Sequence, residues 1–402
     1  MAVRLARRAA EQPASPIRRL APFAAEARRS GRHVFQLNIG QPDIPAPREV
    51  LERLQTFDQP NVAYGPSEGL PEFIEAVREY YDSLGLTYRT EELFATTGGS
   101  EALLFTLAAI ADHGDDVLVF EPFYTNYSGF AAMVGVRTRP ITTYAEDGYH
   151  LPDVGTIERQ IGPKTRAILL CSPNNPTGTV YGDEELEAVG DVCRRHQLYL
   201  VADEVYREFT YDGAKHRSAA TLEGLDRQIV LTDSLSKRVS LCGARVGWIA
   251  SKNAEFMDAV LRFGQARLCP PTLGQHVGAV FNRIGGDYMA SVVTEYERRR
   301  NLVFEALDAM PGVLVRRPQG AFYMCAKLPV DDAQKFAEFL LRDFEVDNET
   351  VMLAPADGFY ATPGAGVDEA RIAYVLNTDE LARAMNVIRA ALEAYPGTTR
   401  SG

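Results

Sequence analysis

The run Leu198-Tyr199-Leu200-Val201-Ala202 passes directly into Asp203-Glu204-Val205-Tyr206. Five consecutive apolar residues without polar alternation predict a strand buried on both faces. An acid at the end of such a strand is costly unless a cation or a hydrogen-bond donor meets it. Related runs lie at Leu93–Thr97, Val117–Phe120, Ala167–Cys171, Ile229–Thr232 and Val246–Ala250. Helical patterns lie between them, such as 183–196, where Asp183 caps and Leu186, Val189 and Cys193 share a face. This alternation predicts an α/β layer built on a mostly parallel sheet flanked by helices. After residue 285 the pattern changes. A long charged helix over 287–309 precedes strand pieces Val313–Val315 and Phe322–Cys325, a helix near 332–342, a strand Ile372–Leu376 and a helix over 379–394. The expected division is a large domain over 46–284 and a smaller α+β domain made of 1–45 and 285–402.

Composition narrows what such a chain does. Its 402 residues suffice for a large core, and 46% apolar with 24% charged residues is ordinary globular usage. No apolar run approaches the ~18 residues of a membrane-spanning helix. A net charge of −12 argues against a nucleic-acid surface. Residues 1–32 run against this balance, with eight Arg facing only Glu11 and Glu26. An Arg-rich, acid-poor start has the make-up of an organelle transit peptide. Here, however, Ser15 suits an N-cap, Pro16 a first turn and Gly31 a stop, and Ile17, Leu20, Phe23 and Ala24 form a helical stripe. A docked helix is the expectation. The five cysteines form no C-x-x-C pair and no metal-ligand set, which suits free thiols in a reducing cytoplasm and no bound metal. Lysine is scarce, six in all, so one in an unusual setting stands out.

In open α/β sheets ligands sit beyond the carboxyl ends of the strands. Leu93–Thr97 is followed by Gly98-Gly99-Ser100-Glu101, glycines that let backbone amides approach an anion at a helix start, or simply a tight turn. Val117–Phe120 is followed by Phe123, Tyr124 and Tyr127, which either line a planar ligand or fill the core. Ala167–Cys171 leads into Ser172-Pro173-Asn174-Asn175-Pro176-Thr177-Gly178, a stiff polar loop. Ile229–Thr232 leads into Asp233-Ser234-Leu235-Ser236-Lys237, with Arg245 eight residues on. Lysine is the side chain that forms Schiff bases with carbonyl cofactors.

Taken in order, these pieces resemble the class I/II aminotransferases, fold type I pyridoxal-phosphate enzymes related to aspartate aminotransferase. The matching motifs are Tyr64-x-x-x-x-Gly69-Leu70, Gly98–Ala102, Asn175-Pro176-Thr177-Gly178, Asp203-x-x-Tyr206, Ser234-x-Ser236-Lys237 with Arg245, and Arg371. The resemblance implies a seven-stranded-type sheet, pyridoxal 5'-phosphate as cofactor, and transfer of an amino group from an L-amino acid to a 2-oxo acid in a homodimer with shared sites. On that reading Lys237 holds the cofactor as an internal aldimine and moves the substrate Cα proton. Asp203 pairs with the pyridine nitrogen, Tyr206 and Asn175 hydrogen-bond the ring oxygen, and Tyr124 stacks on the ring. Ser234, Arg245 and the backbone of Gly99 and Ser100 hold the phosphate, and Tyr64 reaches the phosphate of the neighbouring subunit. Arg371 grips the substrate α-carboxylate, with Gly40 completing that subsite.

One departure bears on the substrate. A branch of aspartate aminotransferases carries Gly-Gly-Lys where this chain reads Gly98-Gly99-Ser100. That lysine helps bind a distal carboxylate, so Ser100 removes a fixed positive charge. Arg267 either substitutes for it across the dimer or is a surface or ion-paired arginine. The expected enzyme is broad, with glutamate/2-oxoglutarate as one partner and a less acidic amino acid as the other. A carbon–sulfur β-lyase needs the same Lys, Asp and Arg, and a non-catalytic sensor on this fold is a further, remote alternative. His33, His113 and His216 match no motif.

Overall fold

The computed structural model describes residues 3–10, 12–13 and 15–399. Seven strands form one sheet in the order Leu93–Thr96, Gly247–Ala250, Ile229–Ser234, Tyr199–Asp203, Thr165–Cys171, Asp116–Glu121 and Arg137–Thr142. Gly247–Ala250 runs antiparallel to both neighbours, and every other pairing is parallel. Side chains alternate along each strand between two cores, one on each face. Val117, Val119, Leu169 and Val201 enter one cluster, while Leu118, Phe120, Ile168 and Leu200 enter the other. That is why these strands read as unbroken apolar runs.

Downstream, Ala354–Pro355, Glu369–Ala373, Tyr323–Lys327 and Leu314–Val315 form a four-stranded antiparallel sheet. His33–Gln36 pairs in parallel with Glu349–Met352, which ties the start of the chain to this C-terminal part. Helices Gly286–Asp308, Ala333–Arg342 and Thr378–Ala394 accompany these strands. Among the described residues no helix is long and apolar enough to cross a membrane.

Among the elements that depart from the sequence reading, three show a physical cause. The stripe beginning at Ile17 is broken into a 3-10 turn, Pro16–Arg18, and a helix, Ala21–Arg29. Pro22, near the start of that helix, has no amide hydrogen to continue a helix through from residue 16. Leu20, Ala24 and Ala27 still dock, against Val34, Ala337, Leu341 and Met352. Arg137–Thr142 is an unanticipated edge strand; its half-exposed side chains and Pro140 hide the apolar signal. The last strand spans Glu369–Ala373 rather than 372–376, because the polar Glu369 and Arg371 are drawn into the ladder.

Candidate active site

Parallel strands deliver their carboxyl ends to one edge. Cys171 stands in register with Asp203, and Asp203 with Thr232, so the loops beyond them start side by side. These loops, the helix Gly98–Ile110, the segment around Gly40 and Arg371 from the smaller sheet enclose a cavity of about 290 Å³. Gly40, Gly99, Ser100, Tyr124, Asn175, Asp203, Tyr206, Ser234, Lys237, Arg245 and Arg371 all line it.

Two expected residues do not. Tyr64 is 82% exposed and lies away from the cavity of its own chain. Arg267 ends the helix Ala254–Arg267 and turns elsewhere, donating to the carbonyls of Ser67 and Ala95 at 3.3 Å and pairing with Glu101 at 3.6 Å.

Asp203 closes its strand fully buried. It accepts a hydrogen bond from Tyr127 Oη at 2.7 Å and a long one from the Val205 amide at 3.4 Å. Burial raises its pKa to about 6, although the Tyr127 and Val205 bonds and the charge of Lys237 pull the other way. Lys237 lies in the short helix Leu235–Arg238 directly after its strand, where Ser234 caps by accepting from the Ser236 amide. Lys237 Nζ donates to the Gly40 carbonyl at 2.7 Å and stands 5.9 Å from the Phe322 ring centre. Gly40 itself leaves no room: a Cβ there would overlap the Tyr323 phenol.

One wall is built for an anion. Gly98 has φ +73°, and a Cβ on it would lie 2.7 Å from Arg245 Nη2. The helix start of Gly99 and Ser100, the Ser234 hydroxyl and the Arg245 guanidinium thus share one rim. Among the described residues Arg245 donates to the Cys242 carbonyl at 3.1 Å and the Thr97 carbonyl at 3.5 Å and to no others.

Arg371 is fully buried, yet no carboxylate among the described residues faces it. It donates to Asn175 Oδ1 at 3.0 Å and to the Asn38 carbonyl, its Nε has no partner among the described residues, and the Tyr323 and Phe359 ring centres lie 4.6 and 4.9 Å from its Cζ. Burial lowers its pKa, since two neutral oxygens replace little of its hydration. Tyr206 Oη and Tyr323 Oη share a hydrogen bond of 2.9 Å beside it. Tyr124 receives a 2.8 Å bond from Asn126, and burial raises its pKa to about 12.

Sequence reasoning missed the parts played by Tyr127, Tyr323 and Asn38. Tyr127 was visible only as one of three aromatics after a strand. Tyr323 sits in an apolar strand with no mark of its polar contact. Asn38 works through its backbone carbonyl, which leaves no trace in side-chain identity.

Residues 32–388 match the family described as aminotransferase class I and II. The chain belongs to that family. It is 30% identical to aromatic-amino-acid aminotransferase 2 of Thermococcus litoralis, over 90% of this chain and 92% of that one. It is 28% identical to the aspartate aminotransferase of Geobacillus stearothermophilus, over 98% and 100%. The aspartate aminotransferase of Thermus thermophilus solved with maleate superposes with a TM-score of 0.88 at 30% identity, covering 97% of this chain and 100% of that one. The protein is an aminotransferase acting on amino and oxo acids, and its cofactor is pyridoxal 5'-phosphate. These relatives give no support to a lyase. The cavity fits the cofactor on its own terms. A phosphate dianion suits the glycine-lined helix start with Ser234 and Arg245, and a protonated ring nitrogen suits the uncompensated Asp203.

Proposed function

We propose that this aminotransferase passes an amino group from an L-amino acid to a 2-oxo acid with Lys237 as the proton carrier and Arg371 as the carboxylate grip. The observation that carries this reading is the buried, carboxylate-free Arg371, in the cavity that also holds Lys237 and Asp203. A buried guanidinium with neutral partners and an orphaned Nε gains a charge-assisted hydrogen bond when an α-carboxylate arrives. Asn175 and Gly40 complete that subsite. Lys237 Nζ, once released from its contact with Gly40, takes the proton from the substrate Cα. When bound, the cofactor supplies a carbonyl that takes up the amino group and a ring that draws electrons from Cα. Asp203, as a buried carboxylate, keeps the proton on the ring nitrogen, and that pairing offsets the cost of burial that raises its pKa. Tyr206 donates toward the ring oxygen, Tyr124 covers the ring, and Gly99, Ser100, Ser234 and Arg245 hold the phosphate.

The active unit in this reading is a homodimer in the cytoplasm. Val62, Tyr64, Leu268 and Leu273 are large apolar side chains at 57, 82, 52 and 42% exposure, and the Thr272 hydroxyl donates to the Ala63 carbonyl, so parts of this surface adjoin. A partner covering it brings Tyr64 within reach of the second site. The five free cysteines suit a reducing compartment. The separate sheets support a large domain over 46–284 and a small one formed by 1–45 and 285–402. The substrate pair is glutamate/2-oxoglutarate with a less acidic amino acid. Mixing the holoenzyme with glutamate, aspartate, alanine or phenylalanine and following conversion of the cofactor from its pyridoxal to its pyridoxamine form tests this pair. No conversion by millimolar glutamate overturns it.

A further inference from the structure

We propose that Arg18 is the residue that meets the distal carboxylate of an acidic substrate; this rests on the amino-transfer reading above. Among the described residues four cations line the cavity, and three are spoken for: Lys237 by Gly40, Arg245 by Cys242 and Thr97, Arg371 by Asn175 and Asn38. The Arg18 side chain makes no hydrogen bond or ion pair among the described residues. Its backbone, by contrast, is pinned. Asn38 Nδ2 donates to the Ile17 carbonyl at 3.2 Å, and Arg19 forks onto Asp357 at 2.7 and 3.2 Å. Pro16 rests on Gly358, where any Cβ would collide with it, and Ile17 packs on the cluster that contains Phe359.

Asn38 therefore joins two grips. Its carbonyl holds Arg371 while its side chain holds the turn that carries Arg18. Ser15, Ile17, Arg18 and Ile39 line the same cavity and are among the residues left for the substrate side chain once those suited to phosphate, ring and α-carboxylate are set aside. Ser100 offers no charge there, and Arg267 is committed to Glu101. Arg18 is also exposed, so it stays hydrated when a neutral side chain binds. An exposed cation leaves no buried charge unpaired with alanine or phenylalanine in place, and it pairs when a second carboxylate enters. One pocket then serves two kinds of side chain.

The test compares wild type with Arg18→Ala and Arg18→Lys holoenzymes. For glutamate and aspartate, kcat/KM of the half-reaction in Arg18→Ala falls on the order of 10- to 100-fold. Values for alanine and phenylalanine stay near wild type, and Arg18→Lys recovers part of the loss. The dissociation constant of glutarate, read from the cofactor spectrum without turnover, rises in step, while that of propionate does not. Equal losses for glutamate and alanine, or none for glutamate, overturn the proposal. So does a wild-type enzyme that converts alanine but neither acidic substrate. A wild type that converts none of the four instead overturns the function proposed above.

Discussion

Asp203 and Glu204 are adjacent in sequence, both buried, and opposite in character. Glu204 is surrounded by partners: Arg207, His216 at 3.3 Å, the Ser218 hydroxyl at 2.9 Å and the Ala219 amide at 2.9 Å. Burial raises its pKa, but Arg207 and His216 outweigh that and bring it down to about 2. Asp203, one residue earlier, has only the Tyr127 hydroxyl and a long bond from the Val205 amide among the described residues, and its pKa goes up to about 6. The same split recurs between two arginines. Arg238 is buried against Asp233 and lies near Glu208 at 3.4 Å, whereas Arg371 is buried against neutral oxygens. Charges that hold the fold together are matched within the chain; charges left unmatched surround one cavity. Desolvation cost explains the lesson, because an unmatched buried charge is retained only where an outside group completes it.

The largest expected effect is at Lys237. Lys237→Ala lowers the transamination rate by at least ~10,000-fold, since it removes both the covalent attachment and the proton carrier. Borohydride treatment then leaves no cofactor on the chain; trapping on another lysine would break the assignment.

Next comes the matched side of the comparison. Glu204→Gln leaves Arg207 buried with a weakened partner and lowers unfolding free energy by about 3–5 kcal/mol in urea. Activity per folded molecule stays close to wild type. Glu204's own contribution is present above its unfolded value of 4.5 and lost as pH falls through about 2.

Asp203→Asn shows the reverse. Turnover falls on the order of 100- to 1,000-fold as the ring proton is no longer enforced. The apoprotein nevertheless gains stability. A carboxyl with a raised pKa contributes stability that is full below its unfolded value of 3.8 and lost as pH rises through about 6. At pH 8 the buried charge therefore costs the apoprotein about 3 kcal/mol, which the amide avoids. Urea unfolding of the two apoproteins at pH 4 and pH 8 reads the difference. An apo variant no more stable than wild type at pH 8 would blur the contrast.

The smallest effect is at Arg267. Its guanidinium lies 5.7 and 5.9 Å from the Phe94 and Phe105 rings and pairs with Glu101. Arg267→Ala costs about 1 kcal/mol of stability and leaves the KM for glutamate unchanged. A raised KM for glutamate would instead place this side chain in the partner's cavity.

Much of this fold is legible because parallel strands buried on both faces cannot hide. Val117–Phe120 and Ile229–Thr232 mark themselves by lacking polar residues, and chemistry at their ends stands out against that background. The edge strand Arg137–Thr142 carries no such mark, since one side of it meets solvent. Within the site, Lys237 and Asp203 are conspicuous because charge beside an apolar run demands a reason. Tyr323 and Asn38 are silent, because a tyrosine in a core strand and a backbone carbonyl look the same whether or not a cation lies against them. Arg18 is silent for another reason: in a segment of eight arginines, nothing local distinguishes the one that faces the cavity.

Gly40 sets a limit on how this enzyme can be altered. Its carbonyl is the resting place of Lys237, and its missing side chain is the space filled by the Tyr323 ring. That ring in turn supports Arg371 and bonds Tyr206. Adding a single methyl group at position 40 would therefore push on the proton carrier, the carboxylate grip and the tyrosine pair together. For anyone reshaping the substrate range by random libraries, this position is a fixed point, because one change there reaches all three groups at once.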